Sequence, residues 1–226
     1  MTLRVAIKYL AIALLVECII MMFKHPIMLE KSLIAELFGS TAYEWTMIFF
    51  NDIFVVIQAI IYLAFCYHIH LFDIQFTDAF FGRAFRIEIA LTMFSVALMF
   101  LPFDKLVYAY IVKVVLELLF AANCVYAGIG IYNYFRTEPF KKIRLSYFIW
   151  SARHVIYGLI LVYDTVGIID NTRPEATDSS LVVYWILLMP MLLVSRLVLL
   201  RGCSELATLP ANKIKEKEEE EESINE

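Results

Sequence analysis

The chain has 226 residues, of which 62% are hydrophobic and 19% charged, with a formal net charge of −4 and a mean hydropathy of +0.74. An ordinary soluble domain is nearer half apolar and a quarter charged, so the composition argues against a water-soluble fold. Much of the acid lies in the closing EKEEEEESINE, and no basic surface of the kind that binds nucleic acid is present.

In chain order, apolar runs of about the 20 residues that a helix needs to cross a bilayer predict six spans. They are Val5–Phe23, Trp45–Leu71, Ala84–Leu101, Leu106–Phe135, Leu145–Ile169 and Leu181–Leu200. The expected fold is therefore an all-α, polytopic membrane protein. A single six-helix bundle would occupy residues 1–203, and a disordered acidic tail residues 204–226, where the glutamates repel one another. The first span does not read as a cleaved signal. Arg4 and Lys8 give it a basic start, but MMFKHP lacks the small residues of a cleavage site and Glu17 interrupts the apolar run. In IMLEKSLIAELF, the residues Ile27, Leu33, Ile34, Leu37 and Phe38 share a helical face, which predicts a helix lying in the interface over about residues 27–38. Phe72, Phe76, Phe80 and Phe85 recur at near-helical spacing and either extend the second and third spans or rest on headgroups. Five of the six prolines fall outside the spans, and the other, Pro190, predicts a kink in the last one.

Lysine and arginine set the orientation. One side collects Arg4 and Lys8, Arg83 and Arg86, the group Arg136, Lys141, Lys142 and Arg144, and finally Arg201, Lys213, Lys215 and Lys217. The other side has only Lys24, Lys31, Lys105 and Arg173. With six spans, both termini belong in the cytoplasm.

The residues that do not suit lipid carry the functional question. Lys113 and Glu117, in IVKVVLELLF, are four apart, share a helix face and can pair. Glu17, Asn51, Asp52, Gln58, Glu88, Arg153, His154, Asp164 and Arg196 fall in the other spans. Each ionised residue near the bilayer centre costs roughly 2.5–3.5 kcal/mol, so the set must pair, protonate or line a polar interior. Helix phase places Asn51, Val55, Gln58 and Tyr62 on one stripe and Arg153, Tyr157, Ile160 and Asp164 on another. With the termini inside, Glu17, Asp52, Lys113 and Asp164 fall in the outer half, and Glu88, Arg153, His154 and Arg196 in the inner half. Lys113 is then the base nearest the outer acids. One network through it is expected, built on Glu17, Asp52, Lys113, Glu117, Arg153 and Asp164. Asn51, Gln58, Glu88, His154 and Arg196 are secondary members.

Other chemistries have little to stand on. In CYHIHLF, Cys66, His68 and His70 suggest a metal, but residues two apart on a helix point to nearly opposite sides. A haem held between His68 and His154 has no further support in the sequence. The widely spaced Cys18, Cys66, Cys124 and Cys203 suggest buried thiols rather than disulfides or a zinc site. There is no GxSxG, no HExxH and no glycine-rich phosphate loop, so neither catalysis nor a cofactor is expected.

ALLVECIIMMF, followed by FFNDIFVVIQAIIYLAF, resembles the first two spans of the transmembrane protein 138 family, small four-span proteins of the ciliary transition zone. The shared elements are Glu17 late in the first span, then Asn51, Asp52 and Ile53 opening the second, with Gln58 after them. The resemblance extends over at most four spans, and the fifth, the sixth and the acidic tail have no counterpart. It implies a non-catalytic scaffold of a ciliary membrane and transfers no catalytic residue. Two functions therefore stand open. One is a non-catalytic multi-pass protein that organises membrane partners in the bilayer, with buried charges fixing helix order. The other is an ion- or proton-coupled transporter or channel for a small solute that uses those charges.

Overall fold

The computed structural model describes residues 2–29, 39–49, 53–76, 80–99, 106–134, 138–169 and 184–209. Among these residues the regular structure is all helix. Helix α1 runs Leu3–Leu29, the short α2 Ser40–Ile48, α3 Phe54–Phe76, α4 Phe80–Met99, α5 Leu106–Tyr134 and α6 Glu138–Ile169; a π-helical turn at Tyr184–Leu188 then leads into α7, Met189–Thr208. Five helices, α1, α3, α5, α6 and α7, are long and apolar enough to cross a membrane. The third predicted span corresponds to α4, where Arg83, Arg86 and Glu88 crowd the first half and dilute the apolar run.

The exposure pattern inverts that of a soluble bundle. Ile60, Met93, Leu159 and Ile186 are 61–72% exposed, while Glu88, Ser146, Ser195 and Arg196 are at most 3% exposed. Large apolar residues cover the outside and most of the polar residues of the helix middles turn inward among a buried apolar core, the arrangement that lipid demands and water penalises. Helices α1, α3, α4, α5, α6 and α7 each pack chiefly on two neighbours in that order, and α7 closes on α1 to complete a ring. The connections α3–α4 and α5–α6 take only residues 77–79 and 135–137, so these pairs are tight antiparallel hairpins at one end of the bundle. The chain's own ends meet there too, since an Arg4 guanidinium nitrogen donates to the carbonyl oxygen of Leu209.

That end is held by the larger core cluster. Ile7, Ala11 and Leu14 of α1 join Phe65, Cys66, Ile69 and Phe72 of α3, Ile143 and Tyr147 of α6, and Leu199, Cys203 and Leu206 of α7. All four cysteines are buried and unbonded. Phe72 and Phe85 lie within helices rather than in a loop over the headgroups, and Phe72 packs on Phe140 at 5.5 Å.

Several predicted boundaries move. Helix α1 continues past Phe23 and carries Pro26 in its last turn, where it leaves the Met22 carbonyl without its helical donor. The expected interfacial helix lies mostly outside the described residues, and its first residues, Ile27–Leu29, belong to α1. The tail does not begin at Ser204. Helix α7 runs on to Thr208 because Leu199, Cys203 and Leu206 continue one buried stripe at spacings of four and three. Residues 210–226 lie outside the described set. Pro190 lies in the first turn of α7, directly after the π-helical turn, so the change of helix type falls where its missing N–H interrupts the regular bonding pattern.

Candidate functional site

A cavity of about 240 Å³ lies inside the ring, and every one of the six packed helices lines it. Helix α1 gives Glu17 and Met21; α3 gives Val55, Gln58 and Tyr62; α4 gives Glu88, Thr92, Ser95 and Val96. From the other side come Phe120 of α5, Trp150, Arg153 and His154 of α6, and Leu192 and Arg196 of α7. Val55 and Val96 sit within one turn of the helix ends opposite the two short hairpin connections. The cavity therefore reaches from mid-bundle toward that end.

Its charged centre is Arg196 with Glu17. Arg196 is 3% exposed and Glu17 6%. The guanidinium carbon sits 3.6 Å from the Trp150 ring centroid and 5.9 Å from that of Tyr62. Such stacking holds the planar cation flat on the indole. Arg196 Nη2 lies 3.9 Å from Glu17 Oε2, an ion pair too long to be a hydrogen bond. Glu17 Oε1 accepts instead from Gln58 Nε2. Arg196 Nε and Nη1, Arg153 Nε and Glu17 Oε2 have no hydrogen-bond partner. Tyr62 packs on Trp150 at 4.7 Å, which fixes the aromatic wall.

A second polar group borders the first. Glu88 Oε2 accepts from Asn123 Nδ2 at 2.5 Å and also from the Tyr62 hydroxyl, so neutral donors surround this acid. Asn123 Nδ2 also donates to the Ala84 carbonyl at 3.2 Å, tying α5 to α4. On the α5–α6 seam, His154 Nδ1 and Glu117 Oε2 are 2.5 Å apart. The imidazole is stacked between Phe120 and Trp150 at 5.5 and 6.0 Å.

Family models, curated proteins and solved structures all return no match to this chain.

The network predicted around Lys113 is reorganised. Lys113 is exposed, with its ammonium 5.9 Å from the Tyr110 ring centroid. Glu117, four residues on, turns the other way and meets His154. Asp164 is buried and acts electrostatically on Tyr110, away from the cavity lining. The base at the centre is Arg196, expected only as a secondary member. Glu17, expected in the outer half, and Arg196, expected in the inner half, meet across the bundle. Asn51 and Asp52 lie outside the described residues. The stripe Val55, Gln58 and Tyr62 does face the cavity as a unit, whereas Arg153 and Asp164 part company.

The histidine pair of CYHIHLF separates as helix geometry requires. His68 Nδ1 lies 2.8 Å from the Ala64 carbonyl oxygen, while His70 stacks on Phe85 at 5.7 Å. Among the described residues, no three of histidine, cysteine, aspartate and glutamate converge as a metal site would need.

Proposed function

We propose that this chain is a six-span membrane protein, both ends cytoplasmic, whose central cavity binds a small polar solute and carries it across the bilayer. The observation behind this reading is the cavity itself. Five of the six helices direct charged or polar side chains into one space, with α5 adding Phe120, and the guanidinium at its centre keeps unfilled donors. Charges present only to fix helix order would be expected to close into complete pairs, since each unmet donor adds cost without adding specificity. A protein that only organises partners is therefore the weaker reading, although the sequence favours it.

Support for six crossings comes from the chain's ends. The start of α1 and the end of α7 lie together, which fits an even number of crossings. Five crossings would leave the ends on opposite faces, so α4 is proposed as the sixth, with Glu88 turned inward. The lysine and arginine bias then places that end in the cytoplasm. Reporter tags fused to the two termini should be protected or exposed together in sealed vesicles. Tags on opposite sides would overturn the six-span arrangement.

The cavity reading makes a separate demand, that the lining be wet. Ser95→Cys is expected to react within minutes with a small, charged, membrane-impermeant thiol reagent, because Ser95 lines the cavity one turn from the end of α4. The four native thiols are buried and should contribute a slow background. Reaction no faster than that background would mean a dry, sealed interior and would return the organiser reading to first place.

A further inference from the structure

Resting on that cavity reading, we propose that the solute is a small organic monocarboxylate, held by Arg196 and Arg153 with its apolar body against Met21, Val96, Phe120 and Leu192. The case begins with unfilled hydrogen-bonding capacity. Four nitrogen donors of the lining, Arg196 Nε, Arg196 Nη1, Arg153 Nε and Trp150 Nε1, lack partners, against one lining acceptor, Glu17 Oε2, with a second, Asn123 Oδ1, behind Glu88. Glu17 Oε1 is already engaged with Gln58, and Glu88 with Asn123 and Tyr62. The site is thus rich in donors. A carboxylate only accepts, and its two oxygens match the fork of a guanidinium. An ammonium brings only donors and would find one free oxygen.

Charge places no bar on an anion. Arg196 and Arg153 both act on Glu17, while Glu88, the other acid in the lining, meets the neutral donors Asn123 and Tyr62 on its own side. Position adds a second argument. Trp150 occupies one face of Arg196, which leaves the edges of the guanidinium for a ligand. Met21, Val96, Phe120 and Leu192 surround the remaining space with apolar surface, suited to a hydrocarbon or aryl body. Size limits the choice, since about 240 Å³ is smaller than the roughly 300–1,000 Å³ of sites for drug-sized ligands. A short-chain or single-ring acid fits that space.

The test uses the full chain in lipid nanodiscs with benzoate, its uncharged isostere benzamide and the amine benzylamine as probes. Binding is read from the rise in Tm with ligand concentration and from Trp150-dependent fluorescence. Benzoate is expected to bind saturably and at least tenfold more tightly than the other two. Arg196→Gln should erase that preference. Because this variant could misfold, Arg153→Gln gives an independent reading and should weaken benzoate alone. Equal binding of benzamide, tighter binding of benzylamine, or a benzoate affinity indifferent to both substitutions would overturn the carboxylate assignment while leaving a solute cavity in place. Failure of all three probes has two meanings that the Ser95→Cys reaction separates. With rapid labelling, the carboxylate assignment falls alone; with shielded cysteine, the cavity reading falls too.

Discussion

Arg196→Ala is expected to destabilise the bundle by about 3–5 kcal/mol, the usual result of leaving one partner of a buried ion pair behind. The side chain does two things at once. It faces Glu17, which is almost wholly buried, and it covers the ring of Trp150 at 3.6 Å. Alanine leaves the carboxylate with Gln58 as its hydrogen-bond donor and the weaker pull of Arg153 as its countercharge, and opens space beside the indole. The two losses can be told apart. Glu17→Gln/Arg196→Met removes both charges and retains much of the side-chain volume; it should recover most of the stability, because an apolar replacement of a whole buried pair is often neutral or better. Denaturant titration of the purified chain in mixed micelles, followed by helical circular dichroism, would measure both variants. If the double variant is as weak as Arg196→Ala, the guanidinium matters as a packing element on Trp150 rather than as a countercharge.

The double variant also bears on function. An organiser whose charges serve only assembly should tolerate the exchange once stability is restored. A carboxylate-binding cavity should not, since the recovered protein would fold around a site that keeps Arg153 but has lost the central one of its two guanidinium groups. Stability and ligand response are therefore expected to separate in this one variant, which makes it the sharper probe of the two readings.

The sequence made the general architecture legible because it is written in length and period. Runs of about 20 apolar residues need little else to be recognised, and α1, α3, α5, α6 and α7 all lie where such runs predict them. The stripe of Val55, Gln58 and Tyr62 was legible for the same reason, being a property of one helix. The identity of the central base was not. Lys113 and Glu117 lie on one helix at the spacing of a pair, but which face of α5 meets α6 depends on packing. Gly158 lets α6 approach closely enough for a Cβ there to lie 3.6 Å from that of Glu117, and this draws Glu117 toward His154. The rank of Arg196 is not legible because its partners, Glu17 and Trp150, stand on helices far away in the chain, and only the packing of α7 between α1 and α6 brings them together. A usable signal did exist. Arg196 has apolar neighbours along its helix and no acid within a turn on either side, so its countercharge had to come from elsewhere. The end of α7 was hidden by composition, as the glutamate run masked the short stripe through Cys203 and Leu206.

Gly202→Val is expected to be the most disruptive of the small substitutions in the helix seams. A Cβ at Gly202 would meet the Pro139 carbonyl oxygen at 2.8 Å, Ile143 Cγ1 at 3.0 Å and the Ile143 amide nitrogen at 3.1 Å. Two of these atoms belong to the backbone of α6 and cannot rotate away, so α6 and α7 must separate. Overpacking of this kind costs about 1–3 kcal/mol, and valine's branch adds to the collision already made by its Cβ. Gly82→Ala provides the contrast. Its Cβ also has a neighbour at 2.8 Å, but that atom is Cε1 of the His70 ring, which can swing aside; a loss below about 1 kcal/mol is expected there. Arg196 lies fewer than two turns from Gly202 on the same helix, and its guanidinium depends on α6 for Trp150. A chain that still assembles with Gly202→Val should therefore hold the cation and the indole farther apart and bind benzoate more weakly, though no cavity residue has changed. Thermal unfolding of the two variants, paired with benzoate titration, would measure this coupling. A Gly202→Val protein as stable as the native chain, with unaltered binding, would show that the seam between α6 and α7 does not position Arg196.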